Sequence, residues 1–379
     1  MFLALRELRF ARGRFTLMGI VIALIAVLVV LLSGLSSGLV NDGVSGLKSM
    51  KATAFAFDEG TMTDNAFSRS TVDEEQLSAW QDAPGVTDAE PMGVSIVNST
   101  TDDATQVDLT LFGVEPTGLL SPEVSSGSGL STPKGIVVSE TAKSEGLAIG
   151  TVVTLDRIDV ELTVVGFTDG QATFGHVDVA YLPIDTWRLI ASNTTQPGAP
   201  TQEQIDNVDY PYSSVVAIAA DKDVADFAAT DTAAGTTTMP RTEAFNASPG
   251  YEAETMTLTM IQVFLYAICA LVVGAFFLVW TIQRTHEVAV LRAVGASTGY
   301  LLRDSLAQAA ILLVGFTAIG VAAGVGMGAL MPDAMPFSLE ATPIIIASAI
   351  TIVLGMLGAA VAILRIARID PNSALGGTR

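Results

Sequence analysis

Side chains that do chemistry are scarce in this chain. Its 379 residues include one cysteine, Cys269, and two histidines, His176 and His286. A lone cysteine excludes any disulfide within the chain, so a domain standing in an oxidising place must be held by its own apolar core. There is no Cys pair, no H-E-x-x-H, and no acidic loop with the Gly and closing Glu of an EF-hand, so no metal site is expected. The acidic clusters "VDEEQ" and "NSTTDDATQVD" read as solvated faces. No G-x-x-x-x-G-K-[ST] occurs, which excludes the P-loop way of binding nucleotide. The letters "GLSSG" (34–38) match G-x-S-x-G, but they end an apolar run instead of forming a strand-to-helix elbow. With no convergent Ser/His/Asp set either, an enzyme is not expected.

Charge is also sparse, at 15% of residues, and it is missing altogether from four long runs: Phe15–Asn41, Thr255–Gln283, Ser305–Pro332 and Ala341–Leu364. A bilayer core takes about 20 apolar residues per helix, and soluble core helices rarely stay uncharged so long. Four transmembrane helices are predicted: 15–41, 255–283, 305–332 and 341–364. A signal peptide has an apolar core of roughly 7–15 residues and a small-residue cleavage site. The first run is longer and no A-x-A site follows closely, so a retained anchor is expected.

The charges that remain are sorted by side. Residues 1–14, 284–304 and 365–379 together hold ten basic and four acidic residues, whereas 42–254 holds nine basic and 33 acidic. The positive-inside rule then places both termini and the 284–304 loop in the cytoplasm, and 42–254 outside. The formal net charge of −20 belongs mainly to that outer domain, which argues against nucleic acid as a partner. Residues 1–14 interleave Phe2, Leu5 and Leu8 with Arg6, Arg9 and Arg12, the pattern of an amphipathic helix lying on the inner membrane surface.

Within the outer domain "GVSIVNST", "QVDLTLFGV", "GIVVSE", "TVVTL", "VELTVVGF" and "HVDVAYLP" alternate or run apolar, as strands do. "TVDEEQLSAWQ", "SETAKSEGL", "PIDTWRLIAS" and "DKDVADFAATDT" read as short helices, with loops at 119–135 and 193–204. The stretch after Asn41 is expected to continue as helix and then break. His176, in "FGHVDV", reads as a strand residue with a local hydrogen bond. The fold class is thus an α-helical membrane protein, four transmembrane helices in a 1+3 order, with a large extracytoplasmic α+β domain.

Gly34 and Gly38, and Gly320 and Gly324, are spaced G-x-x-x-G, which lets helix backbones approach closely. Whether the first pair packs within the chain or against a second copy is open. The stretch "RTHEVAVLRAVGAS" (284–297) favours a short amphipathic helix: Arg284 and Glu287 can pair, Val288 and Leu291 give an apolar side, and Gly295 can cap it in a left-handed conformation. On the residues alone a plain charged loop serves as well.

That stretch resembles the R-x-x-E-[IV]-x-x-L-[RK]-A-x-G-[AS] segment of FtsX/MacB-like ABC transporter permeases. "RIARIDPNSALGG", "LSAWQDAPGVTDAEPM" and "GIVVSETAKSEGLAIGTVVTL" resemble further passages of the same family, and the 1+3 span order agrees. The resemblance covers nearly the whole chain. It implies that 284–304 holds the coupling helix, with Arg284, His286, Glu287, Leu291, Arg292 and Gly295 against a separate cytoplasmic ATPase. His286 stands where relatives often carry Arg or Lys. The resemblance further implies two permeases working with two ATPases, ATP and Mg on those subunits, no intrinsic cofactor, and helix tilting that moves the outer domains (mechanotransmission).

The size of the outer domain is most similar to the heme-exporter permeases of Gram-positive bacteria. Heme, or another amphiphile such as a lipid or peptide antibiotic, is then the expected substrate. The alternative is a regulatory FtsX-like permease that transmits ATPase state to an extracellular cell-wall hydrolase. Heme iron takes His, Met, Cys or Tyr, and the outer ends of the first two spans offer Met50, Phe55, Phe57, Tyr251, Glu252 and Met256. Packing and interface anchoring compete for the same residues.

Overall fold

In lipid a single apolar run satisfies its own backbone by turning helical; all four runs do, the third as Thr298–Gly328, which ends short of the expected Pro332. The computed structural model describes residues 12–221, 224–283, 290, 294, 295, 297–332 and 335–367. In chain order the elements are α1 (Arg12–Lys48), β1 (Ala54–Asp58), α2 (Glu74–Gln81), β2 (Val86–Thr101), β3 (Gln106–Val114), β4 (Val124–Gly127), β5 (Gly135–Val138), β6 (Val152–Leu155), β7 (Val160–Thr168), β8 (Thr173–Phe174), β9 (Val177–Pro183), α3 (Ile184–Ala191), β10 (Val215–Ala220), α4 (Phe227–Ala234), β11 (Thr236–Pro240), α5 (Tyr251–Gln283), α6 (Thr298–Gly328) and α7 (Ala341–Ala367), joined by shorter turns. The chain divides into two units, Met1–Gly38 with Thr255–Arg379, and Leu39–Glu254. α1, α5, α6 and α7 are each long and apolar enough to cross a membrane.

In the first unit the helices share one core, where Phe15, Ile22 and Val29 of α1 meet Cys269, Val273 and Phe277 of α5, Leu312 and Leu313 of α6, and Ala347 and Ala359 of α7. Between lipid-soluble helices close contact comes from small residues. A Cβ on Gly320 would fall inside the Ala23 carbonyl of α1, one on Gly324 would lie 2.9 Å from Val30, and one on Gly358 would strike the Ala270 carbonyl of α5. Within the chain, Gly34 and Gly38 pack against the turn that follows α6 and not against a neighbouring helix. Phe337 and Pro336, from the turn between α6 and α7, occupy the space a Cβ on either would need. Gly328 lines the same notch, 2.7 Å from the Phe337 ring at its Cβ position, and the Ser338 N–H donates to the Gly34 carbonyl at 3.0 Å.

In the second unit one 11-stranded sheet runs in the order β11-β1-β10-β2-β3-β9-β5-β7-β4, with β6 joining β2 and β7 and β8 paired to β9. Most neighbours are antiparallel; β3–β9 and β5–β7 are parallel. The 16-residue β2 ties two halves together, its first half paired to β10 and its second to β3. Phe55 and Phe57 of β1 point to one face, and Ala54 and Ala56 to the other, where Trp80 of α2 covers them. Edge-on rings run from Phe55 and Phe57 through Phe67, Phe174 and Phe112 to Tyr181 at 5.1–5.7 Å between centroids, each pair contributing about 0.5–1.5 kcal/mol beyond burial.

α2 begins with a reciprocal cap: Gln76 N–H donates to Asp73 at 2.9 Å and Asp73 N–H donates to the Gln76 side chain at 3.0 Å. "SETAKSEGL" winds as a tighter 3-10 helix, Glu140–Glu145, and "DKDVADFAATDT" becomes helical only from Phe227. β1, β10 and β11 were not expected. The stretch after Asn41 continues as helix to Lys48 and then breaks as expected, with β1 following the break; Ala-rich β10 lacks the alternation that marks a strand.

Gly326 has open space where a Cβ would stand, whereas Gly320 does not. Gly320→Leu is expected to cost ~1–3 kcal/mol through overpacking and to lower the thermal midpoint of the detergent-solubilised protein. Gly326→Leu should leave it within a degree or so. Equal effects of the two in a thermal melt would remove Gly320 from the helix contact.

Candidate functional site

The polar residues that follow the apolar run of α1 do not fray into solvent. Ten residues of that helix, 39–48, fold with the second unit. Val44, Leu47 and Met50 enter its core beside Phe112, Phe174, Val179 and Tyr181. The helix is kinked at Val44, where φ is −145° and ψ 16°. The reason is local. In an unbroken helix the Gly43 carbonyl would accept from Leu47; here the Gly175 N–H donates to it at 2.9 Å and the Ser248 hydroxyl at 3.3 Å. Donors inserted into a helix ladder bend it.

Around the kink α1 is bonded to the β8–β9 hairpin. The Ser45 and Thr173 hydroxyls lie 2.7 Å apart, and the Thr173 N–H donates to Ser45 Oγ at 2.8 Å, all of it buried. Asn41 donates to Gln171 at 3.0 Å, Gln171 donates to Asp42 at 2.9 Å, and Lys48 reaches Asn41 at 3.4 Å.

The tip of that hairpin is Gly175-His176, with φ of +60° and +64°. A two-residue hairpin loop with both φ positive matches the twist of its strands, and histidine is among the residues that tolerate this conformation. The turn carries the imidazole between two helices. Nδ1 lies 2.9 Å from Asp42 Oδ2 of α1, and Nε2 lies 3.0 Å from Glu254 Oε2 in the first turn of α5. Partial burial pushes the His176 pKa down, but its bonds to Asp42 and Glu254 and their charges outweigh this and raise it above 6.5. The expected strand residue with a local bond is therefore corrected: the partners are 134 and 78 residues away, because the turn, and not the strand, sets where the ring goes. Deeper in the hairpin Asp178 is buried, which raises its pKa; Thr141 and Ser139 donate to it and counteract this.

Beside this joint lies a cleft of about 120 Å³ lined by Met50, Lys51, Glu123, Asp169, Gln171 and Tyr181 among others. Lys51 and Glu123 pair at 3.6 Å at its mouth. Tyr181 is wholly buried, which pushes its hydroxyl up to about 12. Pockets that bury drug-sized ligands hold roughly 300–1,000 Å³, so the cleft as it stands is too small for a porphyrin.

The residues expected to hold substrate scatter accordingly. Met50 is 5% exposed and lines the cleft. Phe55 and Phe57 are corrected from candidate ligand contacts to core: both faces of β1 are covered and their rings are 0% and 1% exposed. Tyr251 packs at 6.1 Å on Phe245 at the edge of the same core. Glu252 is exposed in the first turn of α5 and Met256, 64% exposed, follows on that helix. Of the coupling residues, Arg284, His286, Glu287, Leu291 and Arg292 lie outside the described residues; Gly295 has φ +110°, open to glycine at no steric cost. The reading of the residues passed over Asp42, Ser45, Gln171, Thr173 and Glu254. The one signal available was polar Asn41-Asp42 directly after an apolar run long enough to span.

The burial of the Ser45–Thr173 pair gives a test. Ser45→Val would leave the Thr173 N–H without its acceptor, at about 1–3 kcal/mol. The thermal midpoint should fall, and Ser45→Thr should recover most of it.

Residues 15–234 match the MacB-like periplasmic core domain and residues 259–371 the FtsX-like permease C-terminal. A hemin transport system permease protein, HrtB, of Staphylococcus epidermidis is 26% identical over 99% of both chains. An uncharacterised ABC transporter permease of Mycobacterium bovis is 25% identical over 100% of this chain and 99% of its own. The periplasmic region of MacB from Actinobacillus actinomycetemcomitans aligns with 52% of this chain and 92% of that one, at 13% identity and a TM-score of 0.36.

Proposed function

This chain belongs to the family of ABC transporter permeases that join a MacB-like periplasmic core domain to an FtsX-like C-terminal membrane part, and we propose that it is the membrane subunit of an exporter that extrudes heme by mechanotransmission. The observation that carries the mechanical part is the end of α1. The helix that spans continues as the helix bonded through Asn41, Asp42, Gly43 and Ser45 to the outer sheet. A tilt or shift of α1 must drag the β8–β9 hairpin or break buried hydrogen bonds.

A transmembrane path for a polar substrate would need ionisable or polar lining. None of the four apolar runs contains Asp, Glu, Lys, Arg or His. The work is therefore done outside, and a substrate that partitions into the membrane and is taken up laterally suits this. Heme does so, being flat and largely apolar with two carboxylates, and the name of the Staphylococcus relative points the same way. Met50, Tyr251, Glu252 and Met256 are the proposed contacts. ATP is hydrolysed by a separate cytoplasmic ATPase in two copies, which docks on residues 284–297 of two permeases. Both termini lie in the cytoplasm and residues 42–254 outside it.

Heme added to the chain co-purified with its ATPase should give a Soret band distinct from free heme. Tyr251→Ala or Met256→Ala should weaken binding about tenfold, the effect of ~1.4 kcal/mol. An unshifted band in the wild type would direct the search to another amphiphile. Independently of substrate, Glu287→Lys should abolish stimulated ATPase turnover while the permease stays folded in the membrane. Full turnover would remove 284–297 as the coupling element.

A further inference from the structure

Both ring nitrogens of His176 face carboxylates, and those carboxylates sit on different helices. A neutral imidazole has one N–H and can donate to only one of them; its other nitrogen would then turn a lone pair toward an anion. Only the imidazolium donates to both. The two carboxylates are not held alike. Asp42 also accepts from Gln171 at 2.9 Å, and its helix is pinned by Ser45 and Gly43 as described. For the Glu254 carboxylate, His176 is the one hydrogen-bond partner found among the described residues.

We propose that His176 is a proton-operated clasp: protonated, it holds α1 and the first turn of α5 together, and on losing its proton it stays with Asp42 and releases Glu254. External pH would thereby set how firmly the first turn of α5 is held, within the second unit, to the end of α1. The other charged and titratable groups around the ring fit this. Lys48 on α1 reaches Asn41 and not the imidazole. Asp178 in the hairpin feels the charge of Asp42 and is bonded to Thr141 and Ser139, not to the ring. On α5, Tyr251 lies against the same face of Gly43 as the histidine ring, and Glu252 adds a second carboxylate to the first turn. The carboxylates on both sides of the ring favour the imidazolium.

The sign follows from the raised pKa of the folded protein. The stabilisation is complete below the unfolded value near 6.5 and is lost as pH rises through the higher folded value. Acid conditions clasp the joint and alkaline ones open it. The consequence for transport rests on the mechanical reading above, but the clasp itself does not, and the following test reads it directly.

The chain has only two histidines, so ¹³C-histidine labelling of the full-length protein gives two NMR signals, and His176→Gln assigns one. The His176 signal should titrate above 6.5, and Glu254→Gln and Asp42→Asn should each lower its midpoint. Hydrogen exchange, corrected for its intrinsic pH dependence, should show protection of the amides of residues 254–257 falling several-fold across that titration. Protection of Thr173 and Gly175 should hold, and His176→Gln should make 254–257 insensitive to pH. A midpoint at or below 6.5, or protection of 254–257 that does not change with pH, would overturn the clasp. So would equal loss at Thr173 and Gly175, since α1 would then be released too. Should Asp42→Asn not fold, Glu254→Gln decides the titration alone. A clasp that titrates as described in a protein that shows no heme band would leave the substrate reading wrong and this one intact.

Discussion

A helix leaving the bilayer carries unpaired carbonyls and a sudden change of solvent, and in this protein the whole arrangement depends on where α1 finds its new partners. It does not stop at the surface. Its last turns are taken up by the outer sheet: Leu47 and Met50 by burial, Gly43 and Ser45 by hydrogen bonds whose loss would leave buried groups unsatisfied. The kink at Val44 is the geometric result of that competition for one carbonyl. The mechanism proposed above uses this continuity of α1 into the outer sheet, where a flexible linker would absorb a displacement.

Each unit is closely packed by its own means. In the helical unit, glycines at 320, 324 and 358 bring backbones into contact, and Phe337 fills the notch at Gly34, Gly38 and Gly328. In the outer unit, the hairpin that grips α1 is one end of a row of edge-on aromatic rings reaching back to β1. Small residues serve where lipid offers no hydrophobic drive, and large aromatic ones where water does.

Much of the site was hidden in the residues for specific reasons. Phe55 and Phe57 looked available because they follow a membrane exit; only the sheet shows that β1 is covered on both faces. His176 looked like part of "HVDVAYLP", but the two-residue turn reaches one position further than the strand pattern suggests and the strand starts only at Val177, and one residue of register sends the ring to another face. Ser45, Gln171 and Thr173 carry no motif at all. Their role comes from being opposite one another across about 130 residues of chain.

The residues by themselves determined what depends on composition and period: four uncharged runs that must be helical in lipid, an acidic outer segment of mixed strands and helices, and motifs that place the chain among permeases. These are properties of contiguous stretches, so no partner has to be known. The tertiary structure alone decided which polar groups meet. Hydrogen bonds and side-chain contacts between distant residues are fixed by turn geometry and strand register, which no local window of the chain records. The joint at Gly43, the ring of His176 between Asp42 and Glu254, and the seat of Phe337 on Gly34 all belong to that second kind.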